Sequence, residues 1–408
     1  MDGAESIMVN MNSDKIAMLI AIGILFGCLG NNQMPVGDNG SNKNIDNQID
    51  QNHPTVIEKN ETQTMPGTYE YDNNTPVYVT IYTHNEDGWE GEVGTKTKYL
   101  GYRTNLIDRL NLIHDYGAKL NWQSDWGVLL AMTQYEKEEL WGDTNGKHII
   151  EYMVDDLGFS ADPHTHATTY NYADVAYLFE LNNITPSGVI GGVATLGCEN
   201  GKMIYNNWKE VTSLQDDGYV YGNIYPEAKW RPTILAVPAM PGHYFDEFSS
   251  GIWKPGTDVI DNDPNGDVIY VGQGYPHNQN GLGITHASGA LIHVENGDYI
   301  KELVEKIKNG EVPSGKMYTA SIHLQDKRIN RDSLIEGGVD VNEGLQEILE
   351  ELKPLADAGY IKYVTYQEAV DIWKTEYNEE PNRLGLESFS IYDESYATGQ
   401  EHCEEINS

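Results

Sequence analysis

From Pro76 onward, short apolar strands alternate with amphipathic helices, which limits the chain to folds built on a mainly parallel sheet. The run "PVYVTIYTH" is rich in β-branched and aromatic residues, as buried strands are. The segment "NLIDRLNLIHDYG" has apolar residues at helical spacing and stops at Gly117, the residue type that most often ends a helix. A strand, "AKLNWQ", comes next. These first units predict a strand, a helix and a strand.

The alternation continues for most of the chain. "GKHIIEYMVDDLG" and "YADVAYLFELNN" predict helices, and "FSADPHTH" and "GVIGGVATLG" predict the strands that follow them. Later strands are predicted in "RPTILAVPAMPG", "DVIYVGQGYP" and "KMYTASIHLQ", before a final helix, strand and helix. Because no long linker interrupts this pattern, we expect one α/β domain over residues 76–376. The polar, acidic residues 377–408 are expected to form a loosely ordered tail.

The N-terminal segment has the features of an export signal. Lys15 precedes the apolar run "IAMLIAIGILFG", which is shorter than the roughly 20 residues that a membrane span needs. The run ends in "LFGC", which resembles a lipoprotein signal with Cys28 as the lipidated residue. We therefore expect a signal peptide over residues 1–28 and a disordered polar linker over residues 29–75. The protein is then exported, and only its N-terminal lipid or signal anchor holds it at the membrane.

The net charge of the chain limits the kinds of molecule that it can bind. The formal net charge is −37, from 63 acidic and 26 basic residues, so most of the surface repels nucleic acid phosphates and anionic lipids. This argues against a nucleic acid partner. Outside the cell, Cys198 and Cys403 are compatible either with a disulfide or with two free thiols.

Candidate metal ligands collect where predicted strands end. Asp162, His164 and His166 occupy alternate positions in "ADPHTH", so their side chains point to the same side of an extended strand. The first strand ends in "THNEDGW", which supplies His84, Glu86 and Asp87. Ligands gather at the carboxyl ends of strands in alternating α/β folds, and imidazoles with carboxylates suit zinc and related ions. The pattern predicts a divalent metal site with a carboxylate base beside it.

Two further groups lie near predicted strand ends. His323 stands in the apolar strand "YTASIHLQ", where a hydrogen-bonded core histidine is the alternative to a functional one. Gln123, Asp125 and Trp126 follow the second strand in "NWQSDW" and are candidates for contacts to a sugar, with a capped turn as the alternative.

A separate acidic loop resembles half of a calcium site. In "DNDPNGD", Asp261, Asp263 and Asn265 have the spacing of the first half of an EF-hand loop. Gly272 stands where the bidentate glutamate of such a loop is expected. Both a structural calcium site and a turn built from Asp and Asn side chains are compatible with the segment.

The order of these motifs is similar to that of the NodB-type polysaccharide deacetylase family. The likeness is carried by "EDG" after the first strand, "GFSADPHTH" after a helix, "SIHL" on a late strand, and "LQEILEELKPLADAGYIKYVTYQEAVDIW" near the end. It implies a distorted (β/α) barrel that removes acetyl groups from acetylated sugars with a bound divalent metal. Zinc is the first expectation, with cobalt, nickel or manganese as alternatives. The implied roles are Glu86 as base, His323 as catalytic acid, and Asp87, His164 and His166 as metal ligands.

This sequence departs from the family pattern in two motifs. The family has its two ligand histidines four residues apart, whereas the residue in that position after His164 is Thr168. If His166 is taken as the second of the two ligands, the residue four positions before it, in the place of the first ligand, is Asp162. His84 is likewise an alternative to Asp87. The Arg-X-Pro-Tyr motif is replaced by "VIGGVA", and Arg231 with Pro232, later in the chain, is the remaining candidate for its contacts to substrate.

Together these observations predict a metal-dependent deacetylase that acts on a polysaccharide or related glycan at the cell surface. Two other functions remain open. The first is a surface glycan-binding lipoprotein that kept the fold without activity, and the second is a glycoside hydrolase that uses Glu86 and a second carboxylate without a metal.

Overall fold

The computed structural model describes the part of the chain from the first strand to the last helix, with gaps. The described residues are 75–85, 93–165, 169–192, 198–199, 202–203, 208–236, 250–257, 261–272, 297–325 and 341–384. All of them belong to one unit, Thr68–Ser408. The predicted signal peptide, Cys28 and residues 29–74 of the predicted linker lie outside the described residues, as do residues 385–408. Among the residues described, no helix has the length and apolar character needed to cross a membrane.

The described strands are numbered β1 to β13 and the helices of ten or more residues α1 to α6, in chain order. The strands are Val77–Asn85, Leu120–Ser124, Ser160–Pro163, Val189–Gly191, Cys198–Glu199, Lys202–Met203, Val220–Tyr221, Lys229–Trp230, Ile234–Ala236, Ile252–Trp253, Ile269–Val271, Tyr318–Gln325 and Ile361–Tyr363. The helices are Lys96–Asp115, Trp126–Tyr135, Tyr172–Leu181, Asp298–Lys308, Val341–Asp357 and Tyr366–Glu376. Shorter helical turns lie at Glu138–Asp143, Ile149–Glu151, Tyr152–Asp156 and Trp208–Val211.

The first sheet has five parallel strands. Its order is β12-β1-β2-β3, and β13 pairs with the start of β1. Strand β12 pairs with nearly the whole length of β1, while β2 pairs with its second half. Because every strand in this sheet runs the same way, the carboxyl ends of β12, β1, β2 and β3 meet at one edge, whereas β13 pairs only with the first residues of β1 and ends below that edge. Polar residues that follow the strands are therefore gathered at that edge.

A second sheet continues from the first. Its order is β10-β11-β9-β4, with β10 antiparallel to β11 and the other pairs parallel. A single parallel bridge between His164 and Gly191 joins β3 to β4. At the far end, the Thr319 hydroxyl of β12 lies within hydrogen-bond distance of the carbonyl oxygens of Gly251 and Gly272, and it accepts from the Gly251 amide. The fold is thus mixed α/β with parallel sheets, but the described strands do not close into the expected barrel.

The helices follow from local sequence. Thr95 caps the start of α1, and Gly117, with a φ of 66°, ends the turn after it, as the sequence predicts. A reciprocal pair, Asn171 and Asp174, caps α3, and the pair Thr365 and Glu368 caps α6 in the same way. Helix α2 was not predicted, because "NWQSDW" reads equally well as a turn.

The apolar core lies between α6 and the N-terminal halves of the strands. Tyr366, Val370 and Trp373 of α6 are buried against strand residues from both sheets, among them Tyr78, Val189, Ile234 and Ile269. Burial of side chains of this size stabilises the fold by about 1.5–3 kcal/mol each. The chain stays in contact with the sheets past Tyr377, because Leu384 bridges to Ser250. The folded part thus extends beyond the end predicted at residue 376.

Candidate functional site

Strand register places a polar layer above the apolar core. His84 of β1 is paired with Gln123 of β2, and Gln123 is paired with Asp162 of β3. Residues paired across parallel strands point to the same face, so these three side chains form one row. His164 is two residues beyond Asp162 and lies on the same face. The register of β1 thus adds His84 to the row in which the sequence predicts Asp162 and His164.

Three buried histidines converge at this edge; we call them the histidine cluster. They are His84 at the end of β1, His164 just after β3, and His323 in β12. Their exposures are 1%, 0% and 5%. The ring centroid of His84 lies 4.5 Å from that of His164 and 4.8 Å from that of His323. Side chains that are more than 200 residues apart in sequence thus meet in one buried group.

Tyr82 supports the cluster from below. Its ring stacks on His323 with centroids 4.5 Å apart and an interplanar angle of 10°. The same ring lies 5.2 Å from His84. Tyr82 is two residues before His84 and on the same face of β1, so it fixes both imidazoles from one strand. Sequence reasoning missed this residue, although its period-two spacing from His84 was the signal.

Two glycines allow the histidine cluster to close. A Cβ atom on Gly192 would lie 2.0 Å from Nε2 of His164, and one on Gly191 would lie 2.6 Å from Oε1 of Gln123. Gly192 also has a φ of 63°, which side-chain-bearing residues rarely adopt. Both glycines belong to "GVIGG", a segment whose pattern predicts only a strand. The doubled glycine at the end of a predicted strand was the available signal.

Asp162 is held at the bottom of the site. Its Oδ1 accepts hydrogen bonds from the hydroxyls of Ser160, at 2.5 Å, and Ser187, at 2.7 Å. Burial raises the pKa of the Asp162 carboxyl to about 6, while the two serine hydroxyls and the nearby Gln123 amide oppose the rise. Among the described residues, Oδ2 of Asp162 and both polar atoms of the Gln123 amide make no hydrogen bond of good geometry. These buried groups are therefore incompletely satisfied.

Tyr172 fixes the backbone around His164. Its hydroxyl lies 2.9 Å from the carbonyl oxygens of both Thr165 and Gly191, which are the two acceptors within reach of its one proton. The Tyr172 ring stacks on Trp230, whose indole donates to the Ser187 carbonyl at 3.0 Å. Helix α3 thus sets the position of the loops on either side of the histidine cluster.

The other predicted site residues are distributed differently. Glu86, Asp87 and His166 lie outside the described residues. Asp125 caps α2, since its Oδ1 accepts from the Gly127 amide at 2.9 Å. Trp126 is half-buried and stacks on Tyr170. Arg231 is exposed after β8 and lies over the Tyr219 ring, so it is not part of the polar layer.

The acidic loop forms a turn built on Asp263. Oδ1 of Asp263 accepts from the Asn265 amide at 2.9 Å, and its carbonyl accepts from the Gly266 amide. This is the Asx-type turn that was one of the two interpretations of the segment. Asp261 and Asn265 are exposed beside it. The side chains of Cys198 and Cys403 lie outside the described part, so the disulfide stays a prediction.

The histidine cluster supplies donors of the type that zinc prefers. The His84 and His164 rings are buried and adjacent, and neutral imidazoles are common zinc ligands. Within the part of the chain that the structure describes, no group of three His, Cys, Asp or Glu side chains is placed to hold a metal ion. The described residues thus fit two positions of such a site, and a third ligand has to come from elsewhere.

Comparisons with known proteins give weak likenesses. No protein-family model matches the chain, and no curated protein matches it. Among solved structures, a 4-alpha-glucanotransferase from Thermococcus litoralis is 10% identical, with a TM-score of 0.39, over 72% of this chain and 40% of that chain. A probable polysaccharide deacetylase from Pseudomonas aeruginosa is 10% identical, with a TM-score of 0.39, over 74% and 93%. A GH57-type branching enzyme from Pyrococcus horikoshii is 10% identical, with a TM-score of 0.35, over 72% and 70%.

Proposed function

We propose that the protein is a metal-dependent hydrolase that removes acetyl groups from a polysaccharide or related glycan. The observation that carries the proposal is the convergence of the histidine cluster at the carboxyl edge of a parallel sheet. The apolar interior of a sheet ordinarily holds few titratable groups, and here three imidazoles are buried together. The export signal and the lipidated Cys28 that the sequence predicts support a location at the cell surface as part of this proposal.

In the proposed site, His84 and His164 are the nitrogen ligands of a divalent ion, with zinc as the first choice. The third ligand is Asp87 or His166. Asp87 comes two residues after Asn85, the last residue of β1, and His166 two residues after His164. A bound divalent ion would supply Lewis acidity to the acetyl carbonyl and lower the pKa of a hydrolytic water.

Two side chains are the proposed proton donor and acceptor. Glu86 follows directly after β1 and is the proposed base that takes a proton from water. His323 is the proposed acid, which gives a proton from its imidazolium to the leaving nitrogen or oxygen of the sugar. The stacking of His323 on Tyr82 holds the ring in one orientation, and this favours transfer along a fixed direction.

The polar layer supports the ligands. Asp162 and Gln123 lie between the β1 and β3 histidines in the register. Their incompletely satisfied atoms face the site from buried positions and offer hydrogen bonds to water or to the acetyl group. We assign both as positioning residues, because they act through the histidines and the bound substrate.

One observation favours a second candidate, a glycoside hydrolase that uses two carboxyl groups. Asp162 is buried beside the histidine cluster, and its pKa is raised to about 6, the range of a general acid at neutral pH. Glu86 is its candidate partner. Release of reducing ends without acetate would identify this activity, whereas acetate without reducing ends identifies the deacetylase.

The test is metal content together with acetate release by the full-length chain. We expect close to one divalent ion per chain, and its loss in both His84→Ala and His164→Ala. His114→Ala removes an exposed histidine of α1 and serves as the matched control, which keeps its metal. His323→Ala should keep the metal and lose most acetate release. Absence of metal from the parent chain after zinc or cobalt loading would overturn the proposal and favour the glycan-binding lipoprotein.

A further inference from the structure

We propose that the β7–β8 hairpin and the aromatic rings next to it form an extended surface that binds a polysaccharide chain of several sugar units beside the histidine cluster. This inference extends the proposed function. It rests on that function only in taking the neighbouring histidine cluster as the catalytic site. The surface has two parts, an aromatic path and a hairpin patch.

The aromatic path consists of Trp126, Tyr170, Tyr225 and Tyr177. Trp126 is the first residue of α2 and comes just after the carboxyl end of β2, so the path starts at the edge that carries the histidines. The rings of Trp126 and Tyr170 stack with centroids 5.0 Å apart. Tyr225 lies 6.3 Å from Tyr170, and Tyr177 lies 4.8 Å from Tyr225. Trp126, Tyr170 and Tyr177 remain partly exposed along this row.

The hairpin patch consists of Tyr219, Tyr221, Lys229 and Arg231, with Asp217 at its rim. Tyr221 is 44% exposed, although large apolar side chains in the described part of the chain are mostly buried. Its hydroxyl donates to Asp217 at 2.7 Å, which fixes the ring without covering it. The Lys229 ammonium lies 3.8 Å from the Tyr219 ring centroid and 5.0 Å from that of Tyr221. Rings and charged groups thus alternate on one exposed face.

The hairpin is fastened to the same residues that organise the histidine cluster. The Asp174 carboxylate of α3 accepts hydrogen bonds from four backbone amides, those of Asn171, Asn223, Ile224 and Tyr225. The Asn171 side chain donates to the Tyr221 carbonyl at 2.6 Å. On the inner side, Trp230 is bonded to Ser187, which also donates to Asp162. A surface fixed in this way loses little conformational entropy when a ligand binds.

The composition of the hairpin patch fits a sugar better than a protein. Sugar rings have apolar faces that stack on aromatic side chains and hydroxyl edges that bond to charged groups. The centre of a protein interface is depleted of charged residues, whereas Asp217, Lys229 and Arg231 lie among the rings here. Tyrosine and tryptophan also provide contact area with few torsions to fix. A glycan chain is therefore the occupant that these residues favour.

The experiment measures binding of cellohexaose and chitohexaose to the full-length chain by calorimetry, with glucose and N-acetylglucosamine as short probes. Cellohexaose has no acetyl group, so its binding reports on the surface alone. We expect Tyr221→Ala and Tyr170→Ala each to weaken hexasaccharide binding by about 3- to 10-fold. The short probes should bind much more weakly than the hexasaccharides. Tyr221→Phe keeps the ring and should retain the affinity.

Tyr116→Ala is the matched control, because this half-buried tyrosine follows α1 at the opposite end of the strands. Binding of neither hexasaccharide, or equal binding by the Tyr221→Ala and parent chains, would overturn the inference. Binding that depends on Tyr221 without any acetate release would retain the surface and overturn the proposed function. If Tyr221→Ala released acetate from a polymer with an unchanged KM, the proposed function would be retained and the inference about the surface would be overturned.

Discussion

Two polar clusters in the same domain, each built around buried side chains, differ in how completely they are hydrogen-bonded. The first, which we call the arginine cluster, joins Arg103 of α1 to Glu136, Asp143 and Tyr99. Arg103 Nε donates to Glu136 Oε2 at 2.9 Å, its Nη1 donates to both oxygens of Asp143, and its Nη2 donates to the Leu140 carbonyl at 2.8 Å. The Tyr99 hydroxyl donates to Glu136 at 2.5 Å. Every charge in this cluster has a partner of opposite charge.

The polar groups in the layer around the histidine cluster are less completely hydrogen-bonded. Within the part that the structure describes, the Gln123 amide and one oxygen of Asp162 make no hydrogen bond of good geometry, although both side chains are fully buried. A buried polar group without a partner costs about 1–3 kcal/mol. Chains keep such groups where a ligand or a reaction uses them. The difference is the one expected if the arginine cluster serves stability and the polar layer serves the proposed chemistry.

The largest effect is expected from breaking the arginine cluster. Arg103→Met leaves Glu136 charged and buried, since the side chains of the two residues are only 4% and 0% exposed. We expect the free energy of unfolding to fall by about 3–5 kcal/mol, measured by denaturant titration. Lys353→Ala removes an ion pair on α5 whose partners are 56% and 63% exposed, and it should cost less than about 1 kcal/mol. Equal costs for the two variants would contradict the stabilising role.

A pH titration tests the surroundings of the arginine cluster. Burial lowers the pKa of His148 to about 4, because the charged imidazole is poorly solvated there. The native state thus keeps His148 neutral while the unfolded chain takes up a proton. The free energy of unfolding is therefore expected to fall by up to about 3 kcal/mol as the pH decreases from 6.5 toward 4.

His148→Asn checks this expectation. Nδ1 of His148 accepts from the Ile150 amide, and an asparagine oxygen can take over that cap. The difference in unfolding free energy between the parent and His148→Asn should shrink or change sign between pH 7 and pH 4.5. Groups present in both chains, such as Asp162, cancel in this difference. A difference that does not vary with pH would contradict the lowered pKa.

Local sequence signals predicted much of the fold. Strand β1 and the end of α1 just before Gly117 follow from residue types within a few positions. The β7–β8 hairpin was not predicted, because its tyrosines and charged residues fit strand or loop equally well. Helix α4 was missed although its buried apolar residues, Ile300, Leu303, Val304 and Ile307, have helical spacing. The two-sheet arrangement depends on contacts such as the His164–Gly191 bridge, which no local pattern encodes.

The candidate site was predictable in its residues more than in its geometry. Period-two spacing placed Asp162 and His164 on one face, and His84 was kept as an alternative ligand. The meeting of His84 with His164 required the register of β1, β2 and β3, which depends on tertiary structure. For Asp125 the sequence left open a contact to a sugar or a capped turn. The structure shows a cap, at the start of α2.

Gly192 offers a way to disturb the histidine cluster alone. Gly192→Ala brings a Cβ atom within 2.0 Å of His164 Nε2, so the imidazole has to move. We expect a loss of about 2–3 kcal/mol of stability together with loss of bound metal. Gly158→Ala has a similar φ of 68° with no atom within 4 Å of the new Cβ, and it isolates the backbone cost of about 1 kcal/mol. Full metal content in Gly192→Ala would contradict the proposal that His164 is a metal ligand.

The smallest effect on stability is expected where the polar layer is least satisfied. Gln123→Leu removes a buried amide that makes no hydrogen bond of good geometry among the described residues and replaces it with an apolar side chain of similar size. Because no protein hydrogen bond is lost, the free energy of unfolding should change by less than about 1 kcal/mol, with a gain as the favoured direction. Acetate release should fall nonetheless. A loss of stability as large as that of Arg103→Met would instead place Gln123 with the arginine cluster, as a residue whose burial serves the fold.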